Sequence, residues 1–265
     1  MQSVIKKVIN LLLKKVFKHD INELIYLDNL KYNISKINFP YKAKSALLSI
    51  ISPEFDEPSK PNEFLINLSL EAMNYARTVD LEEICKRMKG PPFWPNIWPG
   101  EHYKLLVGLV LALEPKVFIE IGTGMGLGSL SIKKYLPKSS KLITFDIVPW
   151  NKYPDSILKS SDFDELFVQY IDDLCNFSNI LKHKELIKSA DIIFIDAAKD
   201  GVMEYILMDN LEKIKLKSDT ILIFDDIRLW NMLGFWRNIT YPKIDLTSFG
   251  HWSGTGVVQL IDQKE

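Results

Sequence analysis

Five short apolar runs in the second half of the chain each end on a carboxylate. VFIE ends on Glu120, LITFD on Asp146, FVQYID on Asp172, IIFID on Asp196 and ILIFD on Asp225. A lone strand-end acid is most simply a helix cap or a turn residue. A series of them gathered in one place is costly, because like charges repel unless cationic or hydroxyl-bearing groups compensate them. The stretch DIIFIDAAKD carries one cation itself, since Lys199 follows Asp196 by three residues. A second acid, Asp226, adjoins Asp225. Asp196, Asp225 and Asp226 on neighbouring strand ends suit a hard divalent cation such as Mg²⁺. That ion takes about six oxygens and keeps some water, which leaves positions for substrate hydroxyls.

The first of these strand ends runs into glycines, in the order Glu120-Ile121-Gly122-Thr123-Gly124-Met125-Gly126-Leu127-Gly128. A strand, a glycine turn and a helix bring backbone N–H groups and a helix N-terminus up to a ligand. The spacing departs from the dinucleotide fingerprint, because Leu127 stands where its third glycine belongs. Glu120 would repel a pyrophosphate, so the turn suits a cofactor with a cationic end.

The elements that must position these groups follow an alternating rhythm. VFIEI (117–121), KLITFDI (141–147), LFVQYI (166–171), DIIFID (191–196) and TILIFDD (220–226) are continuous apolar runs, the mark of strands buried on both faces of a parallel sheet. Helical segments are expected between them, at 126–136, around 150–165, at 175–188 and at 203–215. The tail over 244–262 reads as two closing strands. This is the βαβ order of a doubly wound α/β fold, whose ligand crevice lies at the carboxyl ends of the strands. Residues 1–97 read as mostly helical, with a proline-rich extended stretch at 89–103, and are expected to form a cap or dimerisation region ahead of a catalytic domain over 98–265.

The E-I-G-T-G-M-G turn resembles the first motif of the class I S-adenosylmethionine-dependent methyltransferases, and the element order over roughly 98–262 is similar to theirs. The resemblance implies a Rossmann-like, mostly parallel seven-stranded sheet with an antiparallel C-terminal strand. It implies that Gly122, Thr123, Gly124, Gly126 and Ser129 line the cofactor's amino-acid end, with Glu120 near its ammonium. Asp146 would then receive the ribose hydroxyls, Asp172 would lie near the adenine, and Asp196 would border the same site. Within the superfamily, DAAKD followed by FDDIRLW resembles the metal-dependent catechol and caffeoyl-CoA O-methyltransferases, with Asp226 in place of their Asn. The Asp-Asp pair also resembles the sugar O-methyltransferases of antibiotic pathways, although Ala198 stands where those usually carry a further Asp. By this resemblance Lys199 is the catalytic base, its pKa pushed down by a nearby metal and sulfonium.

Composition sets limits on the alternatives. With 47% hydrophobic and 25% charged residues and a net charge of −1, the chain is an ordinary globular protein with no field to draw in nucleic acid. Two cysteines exclude a disulfide framework and fit a reducing cytoplasm. At the N-terminus, Val4, Ile5, Val8, Leu12 and Val16 recur at helical spacing between lysines. They are expected to pack on the core or on a second copy in a homo-oligomer, with a membrane-surface helix as the alternative, and not to cross a membrane. His102 and His251 are candidates to reach the crevice, although a lone His is more often a packing or hydrogen-bonding residue. Trp94, Trp98, Trp230 and Trp252 are candidate substrate walls, and Arg228 a candidate partner for an anionic group. The expected function is O-methylation of a small molecule with adjacent hydroxyls. A metal-independent methyltransferase, a nicotinamide-dependent oxidoreductase and a binding protein without catalysis are the alternatives.

Overall fold

A computed structural model describes residues 59–89, 94–98, 102–250 and 252–261. The amphipathic segment through Val4 and Val16, and His251, lie outside the described residues.

The five apolar runs become parallel strands: β1 (Val117–Ile121), β2 (Lys141–Asp146), β3 (Phe167–Ile171), β4 (Ile192–Ile195) and β5 (Ile221–Asp225). Two closing strands, β6 (Lys243–Asp245) and β7 (Thr255–Gln259), complete a seven-stranded sheet of order β3-β2-β1-β4-β5-β7-β6. β7 pairs antiparallel with both β5 and β6. The order reverses between β1 and β4, so the glycine turn after β1 stands at the switch point where open α/β sheets bind ligands.

Both sheet faces are covered, which is why the strands are continuously apolar. Phe118, Leu142, Phe194 and Ile223 point to one face. There they meet α1 (Glu63–Ala76), α3 (Tyr103–Leu113) and α4 (Leu127–Tyr135) through residues such as Leu65, Leu105 and Leu130. Ile119, Phe145, Ile193 and Leu222 point to the other, towards α5 (Phe177–Lys182), α6 (Lys184–Lys188), α7 (Met203–Ile214) and α8 (Met232–Asn238). α1 and the short α2 (Glu82–Cys85), both within the expected cap region, bury Leu65, Leu68, Ala72 and Ile84 in the same core as the strands.

Three helical expectations change. Residues 150–165 hold only two 3₁₀ turns, Trp150–Lys152 and Ser160–Asp162, because Pro149 and Pro154 withhold N–H donors and the segment has no apolar stripe. The 175–188 helix breaks at His183, whose ring turns to a strand-end acid. α8 forms where no helix was expected, and it buries Met232, Phe235 and Trp236.

Candidate active site

Strand register decides which acids meet. Ile121 is level with Phe145 and Ile195, and Ile195 with Phe224. The residues one step on, Gly122, Asp146, Asp196 and Asp225, therefore form one row at the carboxyl rim. They carry the parity of Phe118 and Phe194 and so face α3 and α4. Gly122 has a φ of +101°, and a β-carbon there would come 1.9 Å from the Asp196 carbonyl oxygen. Only glycine lets β1 and β4 approach so closely, and this closeness sets the glycine turn against the acids.

Asp196, Asp225 and Asp226 converge on Lys199. Its ammonium lies 3.0 Å from Asp196 Oδ1 and 3.1 Å from Asp225 Oδ2, and it also contacts Asp226 Oδ2. Glu204 fixes the loop that carries it, accepting 2.9 Å hydrogen bonds from the N–H groups of Lys199 and Gly201. Asp200 accepts from the Val202 and Met203 N–H groups and caps α7. Lys199 and Asp226 both hold left-handed backbone, φ 59° and 57°. Such conformations in non-glycine residues persist where the surroundings over-determine them, commonly at functional sites. Burial pushes the Lys199 ammonium down, but the three carboxylates outweigh it and raise its pKa above the ordinary lysine value. Burial and the Asp225 charge raise the Asp196 carboxyl, against the pull of Lys199 and His102.

The glycine turn is held from below by a buried polar chain. Ser129 Oγ donates to Glu120 Oε2. Thr123 and Thr144 hydroxyls lie 2.8 Å apart, and Gln169 Nε2 donates to Thr123 Oγ1 at 2.9 Å. Burial, reinforced by the charges of Asp196 and Asp146, pushes the Glu120 carboxyl up to about 8 despite hydrogen bonds from Ser129 and Thr144. Asp146 fastens the turn from the side: Oδ2 accepts from the Thr123 and Gly124 N–H groups at 2.9 and 3.1 Å, and Oδ1 from Val148 N–H at 2.9 Å. It stays half-buried.

Two expected residues stand apart. Asp146 is level with Ile171, so Asp172 falls on the opposite sheet face. There it accepts from Lys182 Nζ and pairs with His183 Nε2, each at 2.8 Å, which corrects its place in the convergent row. Arg228 is held by Asp245, with Nε and Nη2 at 3.0 and 2.8 Å. Trp98 and Trp252 are exposed. Two further residues join the cluster. Ser253 donates to Asp226 Oδ1. His102, buried just ahead of α3, sets Nδ1 3.1 Å from Asp225 Oδ1 and Nε2 4.0 Å from Asp196 Oδ2. Ligand atoms of His102, Asp196 and Asp225 all lie within 4.8 Å of one another, a donor set that fits a divalent cation. The sequence marks His102 only as a weak candidate for the crevice, because the docking of α3 on the sheet is what brings it over the strand ends.

Comparison with known proteins gives the following. The O-methyltransferase family model matches residues 77–235. A search of curated proteins found no match. Among solved structures, the chain is similar to the methyltransferase PaMTH1 of Podospora anserina bound to SAH. Identity is 15% and the TM-score 0.48, over 84% of this chain and 98% of that one. It is also similar to the O-methyltransferase TomG of Streptomyces achromogenes, involved in tomaymycin synthesis and solved with SAM. Identity is 18% and the TM-score 0.45, over 77% of this chain and 92% of that one. A methyltransferase from Geobacter sulfurreducens gives 17% identity and a TM-score of 0.45, over 60% and 78%. With the family model spanning more than half of its length, the chain belongs to the O-methyltransferase family, of the S-adenosylmethionine-dependent kind that its first motif resembles.

Proposed function

We propose that the chain moves a methyl group from S-adenosylmethionine to one of two adjacent hydroxyls of a small molecule, catechol-like or a sugar diol, with a divalent cation at Asp196, Asp225 and Asp226. One observation carries the metal: carboxylate oxygens of Asp196, Asp225 and Asp226 gather around Lys199, and those of Asp196 and Asp225 also face His102, in a largely buried cluster. A divalent ion suits this oxygen-rich donor set. When bound it supplies positive charge that orients two neighbouring oxygens and makes one hydroxyl more acidic.

The Gly122–Gly126 turn and Ser129 are assigned to the cofactor's amino-acid end, Glu120 to its ammonium and Asp146 to its ribose. Lys199 Nζ is assigned the substrate proton. With a divalent cation held by Asp196, Asp225 and Asp226, their charge would favour the ammonium less, and neutral Nζ could accept the substrate proton. The substrate oxygen then forms its bond to the methyl carbon as the carbon–sulfur bond breaks, and sulfur keeps the electron pair. Positioning supplies much of the remaining acceleration.

A second reading, metal-independent transfer, is favoured by the contact of Lys199 with all three acids, since the ammonium already offsets part of their charge. Methyl-transfer assays on a panel of diols, with and without chelator, separate the two. The metal-dependent reading expects chelation and Asp225→Ala each to abolish turnover. Activity untouched by both removes the metal.

A further inference from the structure

We infer that His102 is a nitrogen ligand of the cation site, so that the site prefers a first-row transition ion such as Mn²⁺ or Co²⁺ to Mg²⁺. The inference rests on the proposed cation and changes its donor set. Each of two carboxylates divides its oxygens: Asp196 turns Oδ1 and Asp225 turns Oδ2 to Lys199, while Asp196 Oδ2 and Asp225 Oδ1 face His102. The acids thus have an ammonium side and an imidazole side. Asp226 belongs to the ammonium side, held by Lys199 and Ser253.

The imidazole is fixed in this pose. It is 3% exposed, with ring centroids 4.3 Å from Tyr103 and 5.4 Å from Phe194. Both ring nitrogens face carboxylate oxygens, Nδ1 at 3.1 Å from Asp225 Oδ1 and Nε2 at 4.0 Å from Asp196 Oδ2. The latter distance lies within the span of two ligand atoms on one ion with bonds of about 2.1 Å. One ligand atom each from His102, Asp196 and Asp225 lies within 4.8 Å of the others. One nitrogen and carboxylate oxygens are a poor set for Mg²⁺, which takes oxygen, and a good one for ions higher in the Irving–Williams order.

The test uses the full chain, metal-free, loaded with each ion alone. By calorimetry Mn²⁺ and Co²⁺ should bind at least about 10-fold tighter than Mg²⁺, and pulsed EPR of the Mn²⁺ form should show ¹⁴N coupling from a directly coordinated imidazole. His102→Gln should lose that coupling and weaken Co²⁺ binding by roughly 10–100-fold, with Mg²⁺ binding kept within about 3-fold. If the variant does not fold, the wild-type coupling and its replacement on ¹⁵N-histidine labelling stand as the test. Mn²⁺ bound without nitrogen coupling, or coupling that survives His102→Gln, overturns the ligand assignment and leaves the cation at the acids. No binding of any of the three ions overturns the cation site together with this inference.

Discussion

The carboxyl of Glu120 occupies the space that a side chain at Gly128 would need: a β-carbon on Gly128 would lie 2.3 Å from Glu120 Oε1. The acid at the end of β1 is thereby drawn beneath the first turn of α4, where Ser129 donates to it. The motif's acid and the glycine eight residues later are one packing unit, since the missing side chain at Gly128 leaves the space that the carboxyl fills.

Gly128→Ala forces this unit apart. The expected loss is about 1–3 kcal/mol, typical of overpacking, or a melting temperature lower by several degrees in a chain of this size. Glu120→Ala in the same chain should return part of that loss. Thermal denaturation of the two single variants and the double variant measures the coupling. Strict additivity, within about 0.5 kcal/mol, would show that the two residues do not share the space.

Glu120 also predicts a pH dependence. Its folded pKa, about 8, stands above the ordinary carboxylate value, so the folded protein holds a proton that the unfolded chain releases. The stability this contributes is full below the unfolded pKa and is lost as pH rises through the folded one. Between those limits it should fall with a slope approaching about 1.4 kcal/mol per pH unit. Glu120→Gln should flatten that slope in denaturant melts of the cofactor-free protein. An unchanged slope would mean the carboxyl is not buried as described.

Lys199 offsets the acids that surround it, so Lys199→Met should melt lower than the wild type at pH 7.5. The gap should narrow at pH 5, where the carboxylates take up protons, and close in part on adding Mn²⁺. It should also be inactive in methyl transfer. A variant as stable as the wild type and indifferent to both pH and ion would argue against a compensated acid cluster.

Asp172 faces away from the row, so Asp172→Asn should leave S-adenosylmethionine affinity within about 2-fold while costing stability on the order of 1 kcal/mol through the lost Lys182 and His183 pairs. Those partners hold its carboxyl below the usual range, Lys182 foremost. Its contribution is therefore present at neutral pH and lost as pH falls through that depressed value. Calorimetry with the cofactor and melts at two pH values check both parts. A large loss of cofactor affinity would return Asp172 to the site.

The strands, their order of appearance and the glycine turn were legible in the residues, because burial on both faces demands continuous apolar runs and a tight turn demands glycine. The carboxyl-end acids were legible for the same local reason. Which of them meet was not. Asp196, Asp225 and Asp226 share a rim because β4 and β5 pair in one register, while the step between β2 and β3 turns Asp172 to the other face. His102 lies far from these acids along the chain, and only the packing of α3 sets its ring against them. The state of Lys199 likewise follows from distances to three carboxylates on two neighbouring strand ends. Local chain chemistry selects the elements and their end groups; side-chain direction at a shared rim depends on pairing register and helix docking, which are long-range contacts that no single segment encodes.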